Sequence, residues 1–159
     1  MESYKAPEKY PNDNKFTIFL GGTIEMGNSI DWQKTLTESL KEFDVRILNP
    51  RRDDFDKSAE QSIKNPYFKE QVNWELDGLD RADLIVMNLL KDSLSPISMM
   101  EIGLYAKNKK MLICCPDGFW RKGNIEVIVD RYRYSENLII FNDYNNMVKK
   151  LKEVCKDVK

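Results

Sequence analysis

The sequence predicts an α/β fold in which a parallel sheet is covered by helices on both faces. Two observations carry that prediction. Short runs at 16–20, 45–48, 84–89, 111–115 and 138–141 are predominantly apolar, as strands buried on both faces must be. The stretches between them place apolar residues at helical spacing. A length of 159 residues, with 42% apolar and 32% charged, suits one globular domain with its own core.

Residues 1–14 are polar and contain Pro7 and Pro11, which predicts an irregular arm ahead of a single domain over 15–159. The run 16–20 is the first strand. Trp32, Leu36, Leu40 and Phe43 form the stripe of a first helix, and 45–48 is the second strand. Asn65-Pro66 supplies a cap and a first-turn proline for a helix reaching about Arg81, before the third strand at 84–89. The next helix opens either at Ser98, with Glu101 as the partner of a capping box, or at Ser95-Pro96. The runs 111–115 and 138–141 complete the sheet, and Met147, Leu151, Val154 and Val158 line a last helix. Five strands joined by right-handed crossovers predict a flavodoxin-like doubly wound sheet in the order 2-1-3-4-5. Such sheets bind ligands beyond the carboxyl ends of their strands, which directs attention to 21–32, 49–57, 90–101 and 116–124.

Composition narrows the chemistry. The chain has no histidine, so no Ser-His-Asp or Cys-His pair and no histidine zinc site can form. Acid–base work near neutral pH falls to a carboxylate with a raised pKa, or to Lys, Tyr or Cys. Cys114, Cys115 and Cys155 lack the spacing of a metal site, and their odd number without a signal segment suggests reduced thiols and a cytoplasmic location. Lys plus Arg is 25 against 26 for Asp plus Glu, which argues against a nucleic acid polymer as partner. No apolar run is long enough to span a membrane.

Each strand end carries a candidate. Gly21-Gly22-Thr23 either lets the backbone approach a ligand closely or makes a tight turn; it is neither a dinucleotide fingerprint nor a phosphate loop. Asn49-Pro50-Arg51-Arg52-Asp53-Asp54 could hold hydroxyls or a phosphate, although a solvated charge run with local ion pairs is the commoner explanation. Glu75 falls within the stripe of Phe68, Val72, Leu79 and Ala82, where a carboxylate is either paired or lines a cavity with a raised pKa. Local physics makes Glu101 a capping glutamate. Its place just past a central strand also suits an ionised nucleophile held by the positive end of a helix. Phe119 and Trp120, in the loop 116–124, either stack on a ring or plug the core.

Taken in order, these pieces resemble the nucleoside 2-deoxyribosyltransferase-like family. The resemblance runs from about Phe16 to Tyr132 through Gly-Gly-Thr-Ile, Asp31-Trp32-Gln33, Asn49-Pro50-Arg51, Trp74-Glu75, Ser98-Met99-Met100-Glu101-Ile102-Gly103 and Phe119-Trp120-Arg121-Lys122-Gly123-Asn124. It implies transfer of 2-deoxyribose between nucleobases without metal or organic cofactor. By resemblance Glu101 is the nucleophile and Glu75 an acid near the base. Asp92 matches a second acidic position, at a longer spacing from Glu101 than the family shows. Gly21, Gly22, Thr23, Trp32, Asn49, Arg51 and Phe119 would line the substrate, and Asn124 the 5′ end of the sugar. The partners implied are a small deoxynucleoside, a free nucleobase and further copies of the chain in a homo-oligomer, with Trp120, Tyr132 and Tyr134 as aromatic contacts. Two other readings stay open. One is a nucleoside or nucleoside 5′-monophosphate N-glycosidase in which water replaces the acceptor base; Arg51, Arg52 and the glycine turn could then hold a 5′-phosphate. The other is a non-catalytic nucleotide-binding module on the same frame.

Overall fold

Strand pairing gathers the apolar runs into one parallel sheet. The structure, a computed structural model, describes residues 1–27, 29–54 and 56–158, apart from the side chain of Met26. Its strands are β1 (Glu2–Lys5), β2 (Thr17–Gly22), β3 (Arg46–Asn49), β4 (Leu84–Asn88), β5 (Met111–Cys114) and β6 (Leu138–Phe141). Its helices are α1 (Trp32–Ser39), α2 (Pro66–Arg81), α3 (Pro96–Tyr105), α4 (Lys122–Tyr132) and α5 (Tyr144–Lys156). The sheet order is β1-β3-β2-β4-β5-β6, every pair parallel.

Six strands, not five, correct the expected count and the full order. The extra strand is β1, drawn from the arm expected to be irregular, which pairs Glu2 to Lys5 with Arg46 to Asn49 outside β3. The remaining five keep the expected neighbours, and the architecture is compatible with the flavodoxin-like class. Alternate strand residues face two separate cores. Phe19, Leu48, Ile85, Met87 and Ile113 pack with α2, α3 and α4 through Trp74, Leu79, Ile102 and Ile125. Ile18, Leu20, Ile47, Val86 and Leu112 pack with α1 and α5 through Trp32, Leu36, Met147 and Leu151.

Local signals set the helix ends. Asp31, Asn65 and Asp143 accept backbone N–H bonds at the starts of α1, α2 and α5. The first helix stops at Ser39, so Leu40 and Phe43 of its expected stripe fill the core from the turn that follows. The buried face of α2 runs through Gln71, Trp74, Gly78 and Leu79, displaced from the stripe expected around Val72. Cys114, Cys115 and Cys155 are buried free thiols whose pKa values burial pushes up to about 11, so they pack as small apolar side chains. Among the described residues no helix is long and apolar enough to cross a membrane.

Candidate active site

Two carboxylates meet beyond the carboxyl edge of the sheet, on the face covered by α2 and α3. Glu101 is the sixth residue of α3 and is 8% exposed. Its carboxylate has no hydrogen bond among the described residues. Burial, and then the charge of Glu75, push its pKa up to about 8. Glu75 is half-buried on α2, and burial raises its carboxyl as well, against a hydrogen bond that favours the charged form. That bond comes from Gln71 one turn earlier, whose Nε2 donates to Glu75 Oε1 at 2.7 Å and to the Pro50 carbonyl at 2.9 Å. Gln71 thus fixes Glu75 against the end of β3, while its own Oε1 is buried without a partner.

The start of α3 decides where Glu101 points. The helix begins at Ser95-Pro96, the alternative start, and not at Ser98. Glu101 therefore lies in the second turn, where it can neither cap the helix nor draw on its positive end. This corrects both expectations for Glu101: it is no capping glutamate, and desolvation outweighs the helix field. Ser98, three residues before Glu101 and on the same side of α3, is buried.

A knot of hydroxyls anchors the segment leading into α3. Thr23 Oγ1 lies 2.9 Å from Ser93 Oγ and 2.7 Å from Ser95 Oγ, and the two serine hydroxyls are 2.8 Å apart. Leu90 N–H donates to Thr23 Oγ1 at 3.0 Å. Thr23 thus shapes the loop that leads into the helix carrying Glu101, and its own oxygen is occupied.

The other candidates divide. Gly21 and Gly22 lie inside β2, opposite Met87 and Asn88, and not in a loop after it. A Cβ at Gly22, whose φ is +129°, would come 2.2 Å from the Asn88 carbonyl, so close strand approach alone requires glycine there. Asn49 is buried and accepts the Arg51 N–H at 3.0 Å, turning the chain out of β3. The Arg51 guanidinium donates to the carbonyls of Gly27, Ser29 and Ile30, at 3.0, 2.8 and 3.2 Å, and so pins the loop after β2. Arg52 is held by Asp54 and Glu70 over the Tyr67 ring, so local pairing accounts for both arginines. Phe119 is buried in the core beside α3 and α4. Asn124 is exposed in the first turn of α4, a helix that begins inside the expected loop. Asp92 is exposed in a turn, with no partner among the described residues. Trp32 belongs to the other face of the sheet, packed with α1 and α5, its indole N–H donating to the Thr23 carbonyl at 3.0 Å.

Gln71 and Ser93 were not singled out by the sequence, and Ser95 only as a possible helix start. Gln71 was accessible by spacing, four residues before Glu75. The serines were not, because their role depends on a contact about 70 residues away.

The comparisons agree with this frame. A solved structure described as a conserved protein from Enterococcus faecalis V583 superposes with a TM-score of 0.52 at 16% identity, over 91% of this chain and 98% of that one. At that identity it shows the fold alone. No curated protein matches the sequence. The family model described as "Nucleoside 2-deoxyribosyltransferase like" matches residues 15–119, from β2 through the carboxylate pair to Phe119. The chain belongs to the nucleoside 2-deoxyribosyltransferase-like family.

Proposed function

We propose that the protein transfers 2-deoxyribose from a deoxynucleoside to a free nucleobase by double displacement, with Glu101 as nucleophile and Glu75 as proton carrier. One observation carries the reading: a buried and a half-buried carboxylate stand close enough for the charge of Glu75 to raise Glu101. Like charges in a desolvated site resist joint ionisation, so the pair retains one proton near neutral pH.

That single proton suits both halves of the reaction. Burial favours that proton on Glu101 in the resting pair. Its passage to Glu75 as substrate binds leaves Glu101 ionised to attack C1′ through an oxocarbenium-like transition state. The N-glycosidic bond breaks, its electron pair goes to the base nitrogen, and the Glu75 proton follows. The ester on Glu101 is neutral, so Glu75 can then carry the charge. In the return half the acceptor nitrogen attacks C1′, its N–H proton passes to Glu75, and Glu101 leaves as a carboxylate. Two inversions give retention, and the pair carries one negative charge before and after each half.

The local pairing of Arg51 and Arg52 speaks against their holding the 5′-phosphate of a nucleotide. A purely binding module gives no reason to bury Glu101 without a partner beside a second acid, which costs stability. We place the homo-oligomer on α3, where Ile97, Met100 and Leu104 form an exposed stripe on the same helix as Glu101. A copy seated there would shield the site from water. Light scattering should give a multiple of the 18.7 kDa chain mass, and Met100→Glu should reduce it to one chain.

The function is tested by mixing a deoxynucleoside with a second free base and separating the products. New nucleoside with retained configuration is expected. Free base alone would indicate hydrolysis, and no change over a panel of bases would overturn the enzymatic reading.

A further inference from the structure

On the opposite face of the sheet, between the starts of α1 and α5, lies a recess of about 480 Å³. It opens beyond the carboxyl ends of β4 and β5, beside the β2–β4 pair at which the strand order turns back on itself. Parallel α/β sheets hold ligands at that position, and the volume is that of a small-molecule site. Strand alternation separates it from the carboxylates. Ile85, Met87 and Leu89 face the core of α2 and α3, whereas Leu84 and Val86 face that of α1 and α5. Asn88 continues the second series and lines the recess.

Asn88 is the anomaly. It is 3% exposed, yet its carboxamide has no hydrogen bond among the described residues. Its N–H₂ and C=O stand side by side, a donor and an acceptor in one plane. Because it lines the recess, the amide is open to water or to a ligand there, and a ligand edge that matches both groups would pair with it. Trp32 and Tyr144 contribute aromatic walls, and the neighbouring lining is mainly apolar. Lys91 stands at the rim without an ion pair among the described residues, but Asp31 and Asp143 stand there too, each capping its helix. Two carboxylates against one ammonium disfavour an anion. A flat, neutral ring with an amide-like edge fits all three features.

We propose that this recess binds a nucleobase-class heterocycle, with the Asn88 carboxamide pairing with the hydrogen-bonding edge of the ring. It is a second site, separated by the sheet from Glu75 and Glu101. The proposal rests on Asn88 and the recess walls and not on the transfer reading. Its test involves no turnover, so the two can fail separately.

The test is a titration of the full ¹⁵N-labelled chain with adenine, cytosine and uracil in turn, and with inorganic phosphate as control. At least one base should shift the Trp32 indole and Asn88 side-chain signals saturably. The same binding should persist in Glu101→Gln and weaken about tenfold or more in Asn88→Ala. Should Asn88→Ala fail to fold, Tyr144→Leu at the wall carries the same expected loss. The proposal is overturned if none of the three bases gives a saturable shift, or if phosphate alone moves these signals. Loss of binding in Glu101→Gln, or unchanged affinity in the folded recess variants, would overturn it as well.

Discussion

The two edges of the sheet treat a buried charge in opposite ways. At the amino edge Arg46 opens β3 and is fully buried, yet its guanidinium is surrounded by acceptors. Glu2 Oε2 accepts from Nε and Nη2 at 3.2 and 3.0 Å, Asp13 accepts from both terminal nitrogens at 2.9 Å, and the Pro11 carbonyl accepts at 3.1 Å. At the carboxyl edge Glu101 is nearly as buried, has no such partner, and faces a second acid. The first arrangement fastens the N-terminal arm to the sheet. The second leaves a carboxylate costly to ionise, the state the proposed nucleophile would hold before substrate arrives. A buried charge with all its bonds made belongs to stability, and one with none belongs to chemistry.

The largest expected effect breaks that contrast directly. Glu101→Gln should lower transfer by roughly three orders of magnitude or more while the fold and substrate binding survive. A mechanism-based 2-fluoro sugar analogue should label the wild type at Glu101 and leave the variant unlabelled. Arg46→Met should keep transfer within about threefold, because no reacting group lies at that edge. Near-normal transfer in folded Glu101→Gln would sink the nucleophile assignment.

Stability should move the other way. Glu101 has its folded pKa raised from 4.5 to about 8, so its protonated form is the one folding favours. Stability is then fullest below the unfolded value and falls as pH rises through the folded one. By pH 8 the loss amounts to ~4 kcal/mol, an upper figure because water relieves part of it. Glu101→Gln should therefore be more stable than wild type at pH 8 and little different at pH 4. For the arm the sign reverses. Arg46 holds Asp13 down at about 2 and lowers Glu2, so their contribution is present above the unfolded values and lost as pH falls toward 2. Arg46→Met should cost about 2 kcal/mol at neutral pH and flatten the acid side of the curve. Urea unfolding of both variants from pH 3 to 9 checks the pair, and parallel changes would dissolve the distinction.

The pH dependence of turnover sharpens the assignment of roles. If the active pair holds one proton, kcat/KM is bell-shaped, with its alkaline limb near 8 as the second proton leaves. Glu75→Gln removes both the acid and the repelling charge. Its remaining activity should rise with pH to a plateau, with a midpoint below 8 because burial still raises Glu101 but the repelling charge is gone. An unchanged alkaline limb in that variant would separate Glu75 from Glu101.

The sequence resolved what depends on near neighbours. Five apolar runs became strands, Asn65-Pro66 opened α2, and the carboxylates were visible as acids out of place. It missed β1 because an edge strand needs no apolar run, and Glu2–Lys5 is held by a ladder to β3 and by Arg46. It placed Glu101 at a helix start because S-x-x-E is a local signal, and the contact that overrode it lies far away in sequence. It grouped Trp32 with the carboxylates because both lie near strand ends. Only the alternation of β2 and β4 assigns them to opposite faces.

The smallest expected effect concerns the residue that overrode the capping box. Ser95 sits at φ 43° and ψ 49°, a left-handed conformation that L side chains disfavour, and its hydroxyl does not cap α3. Its oxygen instead joins Thr23 and Ser93, so the knot holds the backbone in the strained form and sets the register of Glu101. Replacing Ser95 with Ala or Gly removes the same hydroxyl bonds, but only glycine relieves the backbone. Ser95→Gly should therefore be about 1 kcal/mol more stable than Ser95→Ala. Both should lose some transfer, since the loop seating Glu101 is freed in each. Equal stability of the two variants would mean that the backbone at 95 is not held left-handed, and the start of α3 would then need another cause.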